Sequence, residues 1–221
     1  MKKLVFALLT VTVLSSCEFK VNVNKKDEAQ AVENPQTTGS VKTLPADLPF
    51  PLKTGFTNDY LKATFWKCNY SSAGASHAYW VILPNTLRPT KVEPEVIKGL
   101  ALTSIGTYST IDKTLPYIEV QIGYETLKDT TDSSAWLLGK IKLMGESILN
   151  KNEFQYEDGQ KNLDLLTYKV IPNGEKVVSR FVGQKNGNDY YFIKAACNEK
   201  DYTAQANTIF HTVSHWGLKT N

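Results

Sequence analysis

YIEVQIGYETL, residues 117–127, decides the fold class. Ile118, Val120, Ile122 and Tyr124 alternate with Glu119, Gln121, Gly123 and Glu125. A period of two puts one set on the buried face of a strand and the other on a polar face. Upstream, Ala101 to Thr110 is rich in Thr, Ser and Tyr and reads as a half-exposed strand. Further back, Tyr79-Trp80-Val81-Ile82-Leu83 is a β-rich run stopped by Pro84-Asn85. Downstream the period changes. Leu137, Ile141, Met144 and Ile148 recur every three to four residues, flanked by Trp136, Leu138 and Leu149. With Asp132 or Ser133 as cap, this predicts an amphipathic helix from Ser134 to about Asn150, with Lys140, Lys142 and Glu146 on its polar stripe.

A meander follows. Phe154-Gln155-Tyr156 leads into Asp158-Gly159, and Leu163 to Ile171 into Pro172-Asn173-Gly174-Glu175. Lys176 to Gln184 leads into Lys185-Asn186-Gly187-Asn188, and Tyr190 to Cys197 closes the set. Asp-Gly and Asn-Gly supply the positive φ of tight hairpins, so the strands are expected to be antiparallel. Asp201 is positioned to cap a last helix from Tyr202 to Trp216, with Ala206, Ile209, Phe210, Val213 and Trp216 on its buried face. The expectation is an α+β domain: an antiparallel sheet of about six to seven strands, ending in a meander and covered by at least two amphipathic helices. The order of Tyr117–Leu127, Ser134–Asn150, Leu163–Ala196 and Thr203–Trp216 resembles the PsbP-like fold, which includes photosystem II extrinsic subunits and DcrB-like bacterial lipoproteins. That resemblance is one of element order over residues 78–217, and it implies a group whose members are mostly non-enzymatic and act by binding other proteins. Residues 50–77 and the stretch from Pro84 to Pro94 fit it less well.

The chain starts MKKLVFALLTVTVLSSC. Lys2 and Lys3 precede an apolar run from Leu4 to Leu14, broken only by Thr10 and Thr12. As a helix this run rises only about 16 Å, against a hydrocarbon core of about 30 Å. It reads as the apolar core of a signal peptide. Leu14-Ser15-Ser16-Cys17 directly behind it resembles a bacterial lipobox. The resemblance implies removal of residues 1–16, acylation of Cys17 and anchoring in a lipid bilayer. The alternative is an ordinary secretory signal cut near Ser16. Glu18 follows that Cys and is not the Asp that resembles the inner-membrane retention signal of enterobacteria, so the outer membrane of a bacterial envelope is favoured. Residues 17–48 carry Lys, Asn, Gln, Thr and Glu with Pro35, Gly39 and Pro45, and read as the lipidated Cys and a flexible tether. A short strand from the alternation of Val21 and Val23 with Asn22 and Asn24 is the competing reading. Pro49 and Pro51, around Phe50, mark the start of a single globular domain over residues 49–221.

The 221 residues carry 25 basic and 22 acidic groups, a net +3. Removing residues 1–16 takes away Lys2 and Lys3 and no acid, so the net charge falls to +1 and nothing points to nucleic acid. With export, Cys68 and Cys197 sit in an oxidising compartment, where a disulfide between them is expected; two buried thiols are the alternative. His211 and His215 have zinc-compatible spacing, but Thr212 stands where the zincin motif has Glu. The pair is expected to be exposed surface histidines, and no metal site is assigned. Asp129 with Asp132, and Glu153 with Glu157 and Asp158, read as solvated acids. Ser71 to Ser76 beside His77 lack a nucleophile elbow, and no phosphate-binding glycine loop occurs, so neither a catalytic residue nor a cofactor is assigned. About half of Tyr60, Phe65, Trp66, Tyr70, Tyr79 and Trp80 are expected in the core. The functional expectation is a membrane-anchored accessory module that binds an envelope protein. A small-molecule or glycan-binding envelope protein is the alternative, and a hydrolase comes third.

Overall fold

The structure, a computed structural model, describes residues 44–45, 47–71, 77–156 and 159–219. Cys17, residues 1–16, most of the tether, Ser72 to Ser76, Glu157 and Asp158 lie outside the described residues. The chain is α+β, with two antiparallel sheets and three helices among the described residues. α1 (Asn58–Thr64) leads into β1 (Phe65–Tyr70), followed by β2 (Tyr79–Pro84), β3 (Leu87–Lys91), β4 (Glu95–Ile97), β5 (Leu102–Thr110) and β6 (Ile118–Thr126). Then come α2 (Ser133–Leu143), β7 (Ser147–Gln155), β8 (Lys161–Val170), β9 (Lys176–Asn186), β10 (Asp189–Asn198), α3 (Glu199–Ser214) and β11 (Trp216–Leu218).

The larger sheet has eight strands rather than six to seven: β3-β5-β6-β10-β9-β8-β7, with β4 also on β5. A second sheet, β1-β2-β11, accounts for the aromatic stretch that fits the expected element order less well. β6 behaves as its period requires, with Ile118, Val120 and Ile122 buried and Glu119 and Gln121 half-buried. The β9–β10 hairpin turns on Gly187 and Asn188, between the paired Asn186 and Asp189. Gly187 alone takes a positive φ there, 59°, the first turn position of a type II′ turn.

The large sheet is covered on both faces. On one, α3 and the small sheet enclose Val81, Val120, Ile122, Leu166, Val178, Val182, Ile193, Ile209 and Val213. On the other, α2 closes Trp136, Leu137 and Ile141 over Leu163, Leu165, Phe181 and Phe192.

Two helix boundaries differ from the sequence expectation. α2 stops at Leu143, not Asn150. Gly145 has φ 68°, its N–H donates to the Lys142 carbonyl, and the Glu146 N–H donates to the Ile141 carbonyl. This is a Schellman ending, built around the one residue type that takes a positive φ without penalty. Ile148 and Leu149, expected on the helix, therefore belong to β7. At the other end of the chain, α3 begins at Glu199 and stops at Ser214, and Trp216 packs into the core from β11.

Candidate functional site

The strongest concentration of charge is buried against α3. Arg180 on β9 is in phase with Val178 and Val182, and Asp164 on β8 is in phase with Leu166 and Tyr168, so both point into the apolar layer under α3. Arg180 Nε donates to Asp164 Oδ1 at 2.7 Å and Nη2 to Oδ2 at 2.5 Å, a bidentate pair. Nη2 also donates to the Pro51 carbonyl at 2.7 Å. The guanidinium lies 4.3 Å from the Phe50 ring centroid and 4.5 Å from that of Phe210, so phenyl rings flank it where water would stand at a surface. Tyr202 on α3 donates to the Pro49 carbonyl at 3.0 Å. Pro49 to Pro51 thus form a strap held by its carbonyls, which proline retains although it has no N–H to give. Burial pushes the Asp164 carboxyl above its ordinary value, against the pull of Arg180.

Two further pairs lie on the α2 face. Glu146, just past the end of α2, accepts from Lys194 at 2.8 Å and from the Thr167 hydroxyl. Lys140 sits 2.8 Å from Glu125, which also accepts from Trp136 Nε1 at 2.6 Å. In each cluster the charge is taken up by a partner within the fold.

His211 is not at the surface. It is buried at the end of α3, with ring centroids 4.7 Å from Phe65, 6.1 Å from Phe56 and 4.0 Å from His215. Burial first, and then the neighbouring His215, lower its pKa to about 4. The sequence expectation went wrong because Phe56, just before α1, and Phe65 of β1 are distant in the chain and cover this side of α3. His215 is exposed, and its Nδ1–H donates to the His211 carbonyl at 2.8 Å. His77 stacks on Tyr124 at 3.7 Å between centroids, and its Nδ1 is 2.8 Å from the Tyr191 hydroxyl.

The expected disulfide is absent: Cys68 and Cys197 are free thiols. Cys68 lies on β1 of the small sheet, 3.3 Å from the Tyr108 hydroxyl. Cys197 lies on β10 in the core, where burial pushes its thiol up to about 12. The two strands belong to different sheets, although both thiols border the same apolar layer, Cys197 within it and Cys68 at its margin. Of the aromatic stretch, Phe65 and Tyr79 are buried, Trp66, Tyr70 and Trp80 are half-buried and Tyr60 is exposed. Asp132 caps α2 by accepting from the Ala135 N–H, Asp129 is exposed, and Glu153 pairs with Lys151 at the surface.

No protein-family model and no curated protein sequence matches the chain. Among solved structures it is similar to cyanobacterial PsbP from Synechocystis sp. PCC 6803, with TM-score 0.48 and 14% identity over 71% of this chain and 94% of that one. It is also similar to the Ran-binding protein Mog1p of Saccharomyces cerevisiae, with TM-score 0.47 and 11% identity over 70% and 96%. LpqN of Mycobacterium tuberculosis, involved in cell envelope biogenesis, aligns with TM-score 0.44 and 14% identity over 73% and 96%. At these scores and identities the likenesses assign no role to any residue.

Among the described residues, no three of His, Cys, Asp and Glu gather as a metal-holding group. An open groove of about 600 Å³ lies between Leu44, Pro45, Asp47 and Leu48, just before the strap, and Ile148, Leu149 and Asn150 of β7. Arg180, Asp164 and Lys194 had no place in the sequence expectation, and Glu146, expected on the polar stripe of the helix, is buried just past its end. A signal was available for Arg180 and Asp164: a charged residue in phase with the buried set of a strand must have a partner inside.

Proposed function

We propose that this protein is a bacterial envelope lipoprotein whose α+β domain is a non-enzymatic accessory module that binds another envelope protein. Leu14-Ser15-Ser16-Cys17, placed directly behind the apolar run of residues 4–14, carries the anchoring part of this reading. Cys17 holds the lipid, residues 17–48 tether, and the outer membrane is the favoured location. More than one acyl chain makes such an anchor stable. The accessory part is supported by where the charge goes. Arg180 with Asp164, Lys194 with Glu146 and Lys140 with Glu125 close on each other rather than converging on a cavity that would hold a reacting substrate.

Two experiments test it. Cys17→Ser is expected to move the protein from the envelope fraction to the soluble periplasm, and unchanged tight membrane fractionation would refute the anchor. Crosslinking in intact cells, followed by affinity capture on a C-terminal tag, is expected to return one stoichiometric envelope partner. Recovery of the lipoprotein alone would refute the accessory reading.

A further inference from the structure

The connection between β5 and β6 is longer than a tight hairpin needs and is apolar where it is most exposed. It reads Ile111-Asp112-Lys113-Thr114-Leu115-Pro116-Tyr117. Ile111 is 63% exposed, Leu115 40% and Tyr117 46%. The turn itself is built, since Asp112 accepts from both the Thr114 N–H at 2.9 Å and the Thr114 hydroxyl at 2.7 Å. The Tyr117 hydroxyl donates to Glu119 at 3.0 Å, which leaves the ring outward with its polar tip satisfied. Asp112 and Lys113 cancel, so the tip carries large apolar groups and no net charge.

Register places this tip relative to the start of the domain. Ile118 pairs with Cys197, Cys197 with Val178, Val178 with Tyr168 and Tyr168 with Ser147. That row of partners runs across the sheet along one end, spanning about 19 Å at the usual strand spacing. The β5–β6 tip projects at one side of the row. At the other side, Ile148 lines the groove with Leu44 and Leu48. Leu44 and Ile148 are themselves exposed. The chain therefore leaves the described domain toward Cys17 at the same end of the sheet that carries the apolar tip. As a coil, Glu18 to Leu44 would span only about 30 Å, so this end is the one held near the bilayer.

We propose that the domain rests on its own membrane through this end, with Ile111, Leu115 and Tyr117 of the β5–β6 tip entering the interfacial layer of the bilayer. The inference rests on the lipid-anchor reading given above. An amphipathic ring flanked by aliphatic side chains suits the headgroup boundary, where one end of the ring is wet and the other apolar. Because the tip is uncharged overall, its insertion depends on apolar burial and is insensitive to salt. The contact turns the opposite end of the sheet, with the β9–β10 hairpin and Val96 on β4, away from the lipid and toward a protein partner.

The test uses the full lipidated chain in vesicles of phosphatidylethanolamine and phosphatidylglycerol, with Cys68→Ala to remove the accessible native thiol. An environment-sensitive fluorophore is placed at Leu115→Cys or, as control, at Val96→Cys, where the native side chain is 67% exposed on β4 at the other end of the sheet. Nitroxide groups on the lipid acyl chains are expected to quench the probe at position 115 several-fold more than at position 96, with blue-shifted emission and no change in high salt. Equal, water-like spectra at both positions on vesicles that co-float with the protein overturn the proposal and leave the anchor standing. Failure to co-float overturns the anchor reading and this proposal with it. Shielding of position 115 in intact cells together with none on vesicles overturns it too, and assigns the tip to a protein partner.

Discussion

Asp164→Ala removes one half of the bidentate pair and leaves Arg180 charged beneath α3. At a separation of about 4 Å and an effective dielectric of about 20, the lost attraction is about 4 kcal/mol. Breaking buried pairs of this kind from one side costs about 3–5 kcal/mol, in agreement. The guanidinium cannot recover the loss by hydration, because it is fully buried with Phe50 and Phe210 beside it. Urea unfolding followed by tryptophan fluorescence measures the effect. With a slope of about 2 kcal/mol/M, the midpoint is expected to fall by roughly 2 M. Two comparisons separate this cause from general fragility. Asp164→Leu with Arg180→Met removes both charges and is expected to return most of the stability, because apolar replacements of such pairs are close to neutral. Lys151→Ala breaks the exposed pair with Glu153, 3.2 Å apart, and is expected to cost less than about 0.5 kcal/mol. A loss below about 1 kcal/mol for Asp164→Ala, or a double variant as unstable as the single one, would refute the reasoning. The same variant is expected to free the strap, since the Pro51 carbonyl loses its ordered donor, and limited proteolysis near Pro51 should accelerate.

Three other outcomes follow from the packing. The pKa of His211 is about 4 in the fold against 6.5 for a free imidazole, so the folded state binds fewer protons than the unfolded state between those values. Its contribution is therefore fully present above pH 6.5 and is lost as pH falls toward 4, by roughly 3 kcal/mol in all; urea midpoints in His211→Leu should show a flatter slope across that window, and an unchanged slope would contradict the burial argument. Gly106→Ala sets a Cβ 2.0 Å from the Tyr79 hydroxyl, which is itself 2.7 Å from that of Tyr108, so about 1–3 kcal/mol of stability should be lost in thermal or urea unfolding. Both thiols should titrate with a thiol reagent without prior reduction, half-buried Cys68 quickly and core Cys197 only on unfolding, and the mass of a disulfide-linked native chain would contradict this arrangement.

Local pattern was enough for much of the architecture. The period of two in residues 117–127, the glycine turns after residue 170 and the amphipathic run before Trp216 each depend on neighbours within a few positions, and each was legible. The end of α2 was legible too, in Gly145, but the apolar spacing of Met144 and Ile148 happens to fit a helix as well as an edge strand. The Schellman geometry at Gly145 decides between them. Three features could not be read from spacing. The separate small sheet arises because β11 pairs with β2, Trp216 facing Val81, across most of the chain. The burial of His211 arises from Phe56 and Phe65, which no helical period of α3 can reveal. Cys68 and Cys197 are free thiols on strands of different sheets, a placement that their spacing in the chain does not give.

What the sequence alone determined is therefore whatever is encoded over one strand, one turn or one helix: the α+β class and the antiparallel meander. What only the tertiary structure decided is which side chains from distant positions share a dry layer. Arg180 meets Asp164, Phe50, Phe210 and the Pro51 carbonyl because three separate segments fold over one face of the sheet. The apolar β5–β6 tip and Leu44 come to the same end because strand register carries position across five strands. Burial and proximity of this kind are properties of the closed sheet, and a linear spacing rule has no access to them.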